Sequence, residues 1–513
     1  MDRAANLARL AHEDFDVLVI GGGATGAGVA LDAASRGLRT ALVERGDFAC
    51  GTSSRSTKLV HGGVRYLEAA VAHLDRAQFH LVREALAERA ALLAIAPHLV
   101  HPLRTVVPAY SLREALFYRI GLWLYDRAAG EAAIGRSHFV SRAAMLRSFP
   151  RLRTHGLRGG VAYYDGQFND ARMNVTVIAT AAREGAVVAN YAEATALVEE
   201  RGRIAGARLR DQTNDNEFSI RARAVVNATG PFSDALRRLE EPNVKPLLAT
   251  SRGTHLALDR TWAPGEDGLL IPKTSDGRVL FLLPWEGGTI AGTTDIRSEP
   301  TSDPEPSAEE LTYLFGQLAE WLEPAPTPSD LRAAWAGLRP LIAEGATGTA
   351  RIVREHHIEV GPKGLVSIAG GKWTTYRLMA EETVDRVIET AGFTPRNACR
   401  TRKLLLVGAD GYHAELATEL AVRYALDDAA AVHLARAYGS TASELIAAGG
   451  ETGRQRLVTG YPYIQAEVLW AVRQEMALTA EDVLARRLRL AFLDRGAAEV
   501  ARPRVEVLLR PTV

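Results

Sequence analysis

A continuous apolar run, "VLVI" at residues 17–20, is followed at once by three glycines and an alanine-rich segment with apolar positions at helical spacing. A run without polar alternation predicts a parallel strand buried on both faces. "AGVALDAASRG" predicts a helix that stops at Gly37, and "RTALVE" a second strand that ends at Glu44. Residues 68–99 carry three- and four-residue apolar spacing up to Pro97, which predicts another helix. "RTVVPAY" then predicts a strand and "SLREALFYRIGLWLYDRAAG" a helix. "YYDGQFNDARMNVTVIATAAREGAVV" predicts a turn, a helix and a strand, and "ARLRD" and "RAVVNATGPFSD" predict strands around a polar turn. Residues 251–295 hold several β-like runs, which predicts a second, mixed or antiparallel sheet. Ser307 and Glu310 have capping-box spacing. "SIAGGKWTTYRLMAEETVDRVIE" repeats the strand–Gly-Gly–helix arrangement, with Thr374 and Thr375 as N-cap candidates. After about residue 400 the β signal fades and helical patterns dominate.

The 513 residues suffice for one large or several ordinary domains. Lys plus Arg and Asp plus Glu are both 61, so no global field draws the chain to nucleic acid. Two cysteines, Cys50 and Cys399, make neither a disulfide framework nor a metal cluster, which points to a reducing, cytoplasmic compartment. The first 15 residues lack a secretory apolar core, and no uncharged apolar run reaches the roughly 18 residues of a membrane span.

The first strand–turn–helix carries Gly21-x-Gly23-x-x-Gly26. Gly21 permits the turn, Gly23 lets a pyrophosphate approach the backbone, and Gly26 lets helix and strand pack closely. The helix N-terminus offers free N–H groups to phosphates. Glu44 lies at the spacing of a ribose-binding acid, about 20 residues on. The motif predicts a dinucleotide without separating FAD from NAD; Glu44 argues against NADP, and Arg45 beside it weakens that point. "STKLVHGGVRYLE" (56–68) places Lys58, His61 and Arg65 around Gly62-Gly63. "VVNATG" ends at Gly230, where a nucleotide can lie against the backbone. At 370–377, Lys372, Thr374, Thr375, Tyr376 and Arg377 crowd a helix start, which suits an anion or a polarised carbonyl.

"IGGGATGAGVALDAASRG" (20–37) and "GGKWTTYRLMA" (370–380) resemble the two signature patterns of FAD-dependent glycerol-3-phosphate dehydrogenases. Between them "TSSRSTKLVHGGVRYLE", "YYDGQFNDARMN", "NATGPFSD", "SRGTHL", "LLPWEGGTIAGTTD" and "AGLRPL" resemble that family in the same order. No EF-hand loop follows Asp494, so the resemblance is to bacterial members. It implies an α/β fold: a Rossmann-like FAD domain of the glycine/D-amino-acid oxidase type, an inserted β-rich substrate domain and a C-terminal helical domain. The expected divisions are 12–395 for the oxidoreductase part and 400–505 for the helical domain. Within the former, 12–90, 155–235 and 337–395 are expected to hold FAD, and 91–154 and 236–336 the substrate. The implied reaction is oxidation of sn-glycerol 3-phosphate to dihydroxyacetone phosphate, with FAD as cofactor and membrane quinone as acceptor. An O₂-using oxidase, or a flavin oxidase of another small anion, is the alternative. The implied location is the inner face of the cell membrane, peripherally bound, and a homodimer is left open.

The resemblance implies a basic pocket of Arg65, Arg339, Arg354 and Lys372, with Tyr66 hydrogen-bonding the substrate. His255 is expected as the base, with His61 the rival, because imidazole titrates near neutrality. Gly21, Gly23, Thr25, Gly26, Glu44 and Thr52 to Ser54 are expected around the cofactor. So are Lys58, His61, Gly62, Gly63 and Gly230, and residues 371–374, Gly371, Lys372, Trp373 and Thr374. Trp373 stands where a smaller apolar residue is usual, and Arg55, where a small residue is common, is expected to face the FAD phosphates or solvent. The helix at 113–127, with Leu116, Phe117, Ile120, Trp123 and Leu124 among arginines, fits a membrane interface or a core position.

Overall fold

The computed structural model describes residues 1–63, 76–343 and 356–510. The "VLVI" run lies in strand Asp14–Ile20, at the middle of a parallel arrangement. Glu217–Asn227 pairs on one side, and Thr40–Val43 followed by Val187–Ala189 on the other. Val366–Gly370 continues the parallel order, and His356–Val360 closes it antiparallel. Val17, Leu18 and Val19 are fully buried, as a strand covered on both faces requires. Helix Ala24–Ser35 lies between helices Asp170–Arg183 and Tyr376–Ala391 over this sheet. The topology sets "VVNATG" beside the first glycine turn: the Ala228 N–H donates to the Ile20 carbonyl.

A second sheet runs in the order Ile296–Arg297, Leu248–Leu258, Gly288–Gly292, Leu280–Trp285, Gly268–Ile271, Val100–Ala109, Gly159–Phe168, Leu59–Val60. Leu331–Ile342 joins it along Leu248–Leu258, and His138–Ser141 along Gly159–Phe168. Its pairs are antiparallel except Gly268–Ile271 with Val100–Ala109. Residues 163–168, expected as a turn, are instead strand, paired with Val100–Ala109. Their polar side chains are buried and satisfied: Asp165 accepts from Arg89 and Tyr125, and Gln167 donates to the Pro284 carbonyl. Both Gly159–Phe168 and the whole of Leu331–Ile342 belong to the second sheet.

The capping box at Ser307 and Glu310 forms as expected and starts helix Ala308–Trp321. Thr375 takes the N-cap position of Tyr376–Ala391 but makes no side-chain cap bond: its hydroxyl donates to the Lys372 carbonyl, and Thr374 bonds to His61. Beyond residue 400 the chain is helical. Leu420, Leu434, Leu445 and Ile464 form a core there. Val468, Leu484 and Leu493 pack with Trp285 and Trp335 of the second sheet. Buried ion pairs fasten this region to the first: Arg487 to Asp47 at 2.7 Å and Arg172 to Glu475 at 2.5 Å. Cys50 and Cys399 are free thiols.

Candidate active site

The first glycine turn has the geometry its sequence demands. Gly21 takes φ +115°, and a Cβ there would lie 2.5 Å from the Ala228 carbonyl oxygen. A Cβ on Gly26 would lie 1.9 Å from the Gly21 carbonyl oxygen, so only glycine lets helix and strand approach. At the helix N-terminus the Ala24 N–H donates to the Ser53 hydroxyl at 2.8 Å, beside Gly23 and half-buried Thr25. Glu44 accepts from the Gly22 N–H at 2.7 Å and the Gly46 N–H at 2.9 Å. Oε2 keeps a lone pair for a ribose hydroxyl, whereas Oε1 is also met by the Cys50 thiol at 3.8 Å. Gly230 has φ +58° and open space beside it. This cradle fits a dinucleotide: a helix N-terminus, glycines where a Cβ would intrude, and an acid at the expected ribose spacing.

Residues 52–63 join that cradle to the second sheet. The Thr52 hydroxyl donates to the Leu338 carbonyl at 2.6 Å, and Ser54 to the Gly51 carbonyl. Arg55 is turned toward the second sheet and the loop at 303–304. Its guanidinium donates to the Ala336 and Pro304 carbonyls and to Asp303, and its stem passes where Gly337 has no side chain. Lys58, expected at the cofactor, is fully buried instead. Its ammonium meets Asp170 at 2.6 Å and the Ser54 carbonyl at 2.8 Å, beneath Trp285, Trp335 and Phe492. Burial pushes Lys58 down to about 7, against the opposing pull of Asp170. Arg489, from the C-terminal region, adds a second cation at 3.4 Å from Asp170.

His61 faces the second signature. Its N–H donates to the Thr374 hydroxyl at 3.1 Å. Gly62 donates to the Tyr125 hydroxyl at 2.8 Å, and a Cβ there would collide with Leu86. Crowding by protein therefore already requires that glycine; Gly63 adds φ +81°. The Trp373 indole donates to the Ser53 carbonyl at 2.9 Å and stands edge-on to Phe168, so its extra bulk ties the two signatures together. Gly371 has φ +75° against Met379, which turns the chain so that half-buried Lys372 precedes the 373–375 helical turn.

His255 and Arg339 share one face of the second sheet. His255 pairs with Trp335, and Ser251 with Arg339, four residues along each strand. The imidazole stacks on Trp335 at 5.3 Å and 8°, and its Nε2 meets the Thr57 hydroxyl at 3.0 Å. Burial, then Lys58 and Arg339, hold His255 well below its ordinary pKa, so the ring is neutral. Arg339 donates to the Thr294 carbonyl at 3.1 Å and the Thr293 hydroxyl at 3.0 Å, with Asp295 at 3.8 Å. Gly253 makes room for that guanidinium. Strand Leu331–Ile342 packs against Val366–Gly370, which brings the neighbourhoods of Arg339 and Lys372 together. Arg65, Tyr66 and Arg354 lie outside the described residues. Sequence reasoning missed Thr57, Asp170 and Arg489; Thr57 and Asp170 carried a signal, their places in the stretches at 56–68 and 163–174 that resemble the family.

Residues 16–386 match the family described as FAD dependent oxidoreductase, and residues 399–513 match the C-terminal domain of alpha-glycerophosphate oxidase. The probable mitochondrial glycerol-3-phosphate dehydrogenase of Caenorhabditis elegans is 48% identical over 504 residues, 96% of this chain and 70% of its own length. The human mitochondrial glycerol-3-phosphate dehydrogenase is 44% identical over 523 residues, 99% of this chain and 72% of its own. A crystal structure of the glycerol-3-phosphate dehydrogenase from Bacillus halodurans, complexed with FAD, covers 100% of this chain and 98% of its own, with TM-score 0.77 and 29% identity. Glycine oxidase from Bacillus cereus shares the fold over 75% of this chain and 96% of its own, with TM-score 0.52 and 18% identity.

Proposed function

The chain belongs to the FAD-dependent glycerol-3-phosphate dehydrogenase family, and from that membership we propose that it oxidises sn-glycerol 3-phosphate to dihydroxyacetone phosphate and delivers the electrons to membrane quinone. The observation that carries this reading is one sheet face presenting His255 and Arg339 beside the Lys372 turn, next to the dinucleotide cradle. When bound, FAD supplies the hydride acceptor. Gly21, Gly23, Gly26, Ser53 and Glu44 would hold its phosphates and ribose.

Arg339 suits the phosphate because its planar fork makes two hydrogen bonds at once. Arg65, Arg354 and Tyr66 are proposed to complete the pocket. Lys372 supplies a point charge at the oxygen where negative charge develops. His255 takes the proton of the C2 hydroxyl. The neutral ring is ready to accept it, and a dianionic phosphate on Arg339 offsets one of the cations that depress its basicity. His61 stays the rival base. The test is an anaerobic visible spectrum: sn-glycerol 3-phosphate should bleach the flavin of the wild type, and His255→Ala should slow that bleaching about 100-fold or more. Near-normal bleaching in His255→Ala would move the role to His61.

Membrane contact is proposed for helix Leu112–Ala129. Leu116 and Phe117 are 58% exposed, Ile120 52% and Trp123 47%, a stripe that the protein itself leaves uncovered. No helix among the described residues is long and apolar enough to cross a membrane, so contact here is lateral. A second acceptor, O₂, is favoured by the match of residues 399–513 to a domain described for an oxidase. Oxygen uptake measured against quinone reduction separates the two.

A further inference from the structure

Arg339 rests on a segment that is itself anchored. Its fork meets two neighbouring oxygens, the Thr294 carbonyl at 3.1 Å and the Thr293 hydroxyl at 3.0 Å. The Thr293 hydroxyl in turn donates to the Thr294 carbonyl at 3.2 Å, which ties the two acceptors together. The Thr294 side chain is buried and held from two sides: its hydroxyl donates to Glu310 Oε1 at 2.7 Å and accepts from the Thr254 N–H at 2.8 Å. Thr254 lies in Leu248–Leu258, the strand that also pairs Ser251 with Arg339. One strand therefore indexes both the guanidinium and the carbonyl beneath it.

Glu310 does more than its place in a helix requires. As the third residue of a capping box, it accepts from the Ser307 N–H through Oε2 at 3.0 Å. Oε1 is committed elsewhere, to Thr294, a bond that capping does not call for. Arg252 comes within 2.9 Å of Oε2 and balances the buried charge. Burial would raise the Glu310 carboxyl, but the bonds from Thr294 and Ser307 and the charge of Arg252 hold it below its ordinary value. It is therefore ionised and accepts only, which fixes the direction of the Thr294 bond and makes it charge-assisted. The Arg339 side chain stays 22% exposed, so a ligand can reach it.

We propose that Glu310 and Thr294 are positioning residues for the anion-binding guanidinium: the buried carboxylate fixes the Thr294 hydroxyl, and so the carbonyl on which Arg339 rests. This rests on the reading of Arg339 as the phosphate ligand. Without the link, Arg339 must be ordered as substrate binds, so the loss falls on affinity rather than on the chemical step.

The experiment uses the FAD-loaded full chain and anaerobic bleaching by sn-glycerol 3-phosphate. Thr294→Val keeps the volume and removes the hydroxyl; it should raise half-saturation about tenfold and leave the saturated rate within about threefold. Thr294→Ser should restore half-saturation. Glu310→Ala should match Thr294→Val, and the two together should add no further rise. Ser307→Ala removes only the cap hydroxyl, so it should lower the urea midpoint and leave half-saturation unchanged. In an Arg339→Ala background Thr294→Val should add nothing. Calorimetric binding of dihydroxyacetone phosphate to the oxidised enzyme gives a reading without turnover, and Thr294→Val should weaken it by the same factor. Unchanged half-saturation in Thr294→Val, additive rises in the double variant, or an equal rise in Ser307→Ala would overturn the proposal. If Arg339→Ala itself leaves half-saturation unchanged, the phosphate reading of Arg339 falls and the proposal with it. If Arg339→Ala is impaired and Thr294→Val is not, only the proposal falls. Should either variant fail to bind FAD, Thr294→Ala or Glu310→Gln takes its place.

Discussion

Arg339, proposed above to bind the phosphate, is held by the protein before any ligand arrives. Two protein acceptors, the Thr294 carbonyl and the Thr293 hydroxyl, hold its fork, and Asp295 supplies charge at 3.8 Å. On the proposed role, a phosphate would join a guanidinium that is already aimed. Arg339→Ala should therefore act on binding first: kcat/KM should fall about 10- to 150-fold, the loss of a charge-assisted contact, mostly through KM. Unchanged kcat/KM would place Arg339 outside the pocket. What the sequence reveals at this scale depends on how local the cause is. Gly21 and Gly26 are legible because the turn that needs them is written in the same six residues. Lys58 misleads, because a lysine is by default a surface group and its partner Asp170 stands 112 residues away. Arg55 misleads similarly: Asp303, Pro304 and Ala336 exist as its partners only after the second sheet has formed.

At the scale of elements, helix Leu112–Ala129 was legible as a helix but not in its orientation. Its capping box, Ser111 with Glu114, is a local signal. Which side faces inward is decided by Tyr125, whose hydroxyl meets Asp165 at 2.7 Å and the Gly62 N–H at 2.8 Å. With Leu122, Tyr125 and Ala129 inside, Leu116, Phe117, Ile120 and Trp123 are left outward. Trp123→Glu should weaken binding to anionic lipid vesicles about tenfold without disturbing the fold, since burying a large apolar side chain is worth roughly 1.5–3 kcal/mol and this one is already half covered. Sedimentation with vesicles checks this, and equal binding by the variant would retire the helix as the contact. Gly159–Phe168 is the opposite case, a strand hidden in the sequence. Asp165, Gly166 and Gln167 read as turn residues until Arg89, Tyr125 and Pro284 are brought to them.

For the molecule as a whole, the C-terminal region is fastened by charge as well as by apolar contact. Burial would push the Asp47 carboxyl up, but Arg487 and Arg486 outweigh burial and hold it down at about 2. A carboxylate lowered in the folded state contributes stability above its unfolded value, 3.8, and loses it as pH falls toward the folded one. The contribution is on the order of 2 kcal/mol. Asp47→Asn should lower urea stability by about that much at pH 6, and the gap to the wild type should shrink between pH 4 and pH 2. A gap of constant size across that range would mean that Asp47 does not titrate with folding. The two-part architecture was legible because strand and helix periods differ so plainly before and after residue 400. The fastening was not, because no spacing marks Asp47 and Arg487 as partners across 440 residues of chain.

That separation gives protein synthesis a schedule. Asp47, Lys58 and Asp170 emerge from the ribosome long before Arg487 and Arg489, the groups that complete their burial. At about 5–20 residues per second, 440 residues take roughly 20–90 s. For that interval the nascent chain carries these charged groups without the arginines that close over them. The last fifth of the chain is thus a latch on charges laid down earlier, and a truncated product would leave Asp47 and Asp170 without their arginine partners.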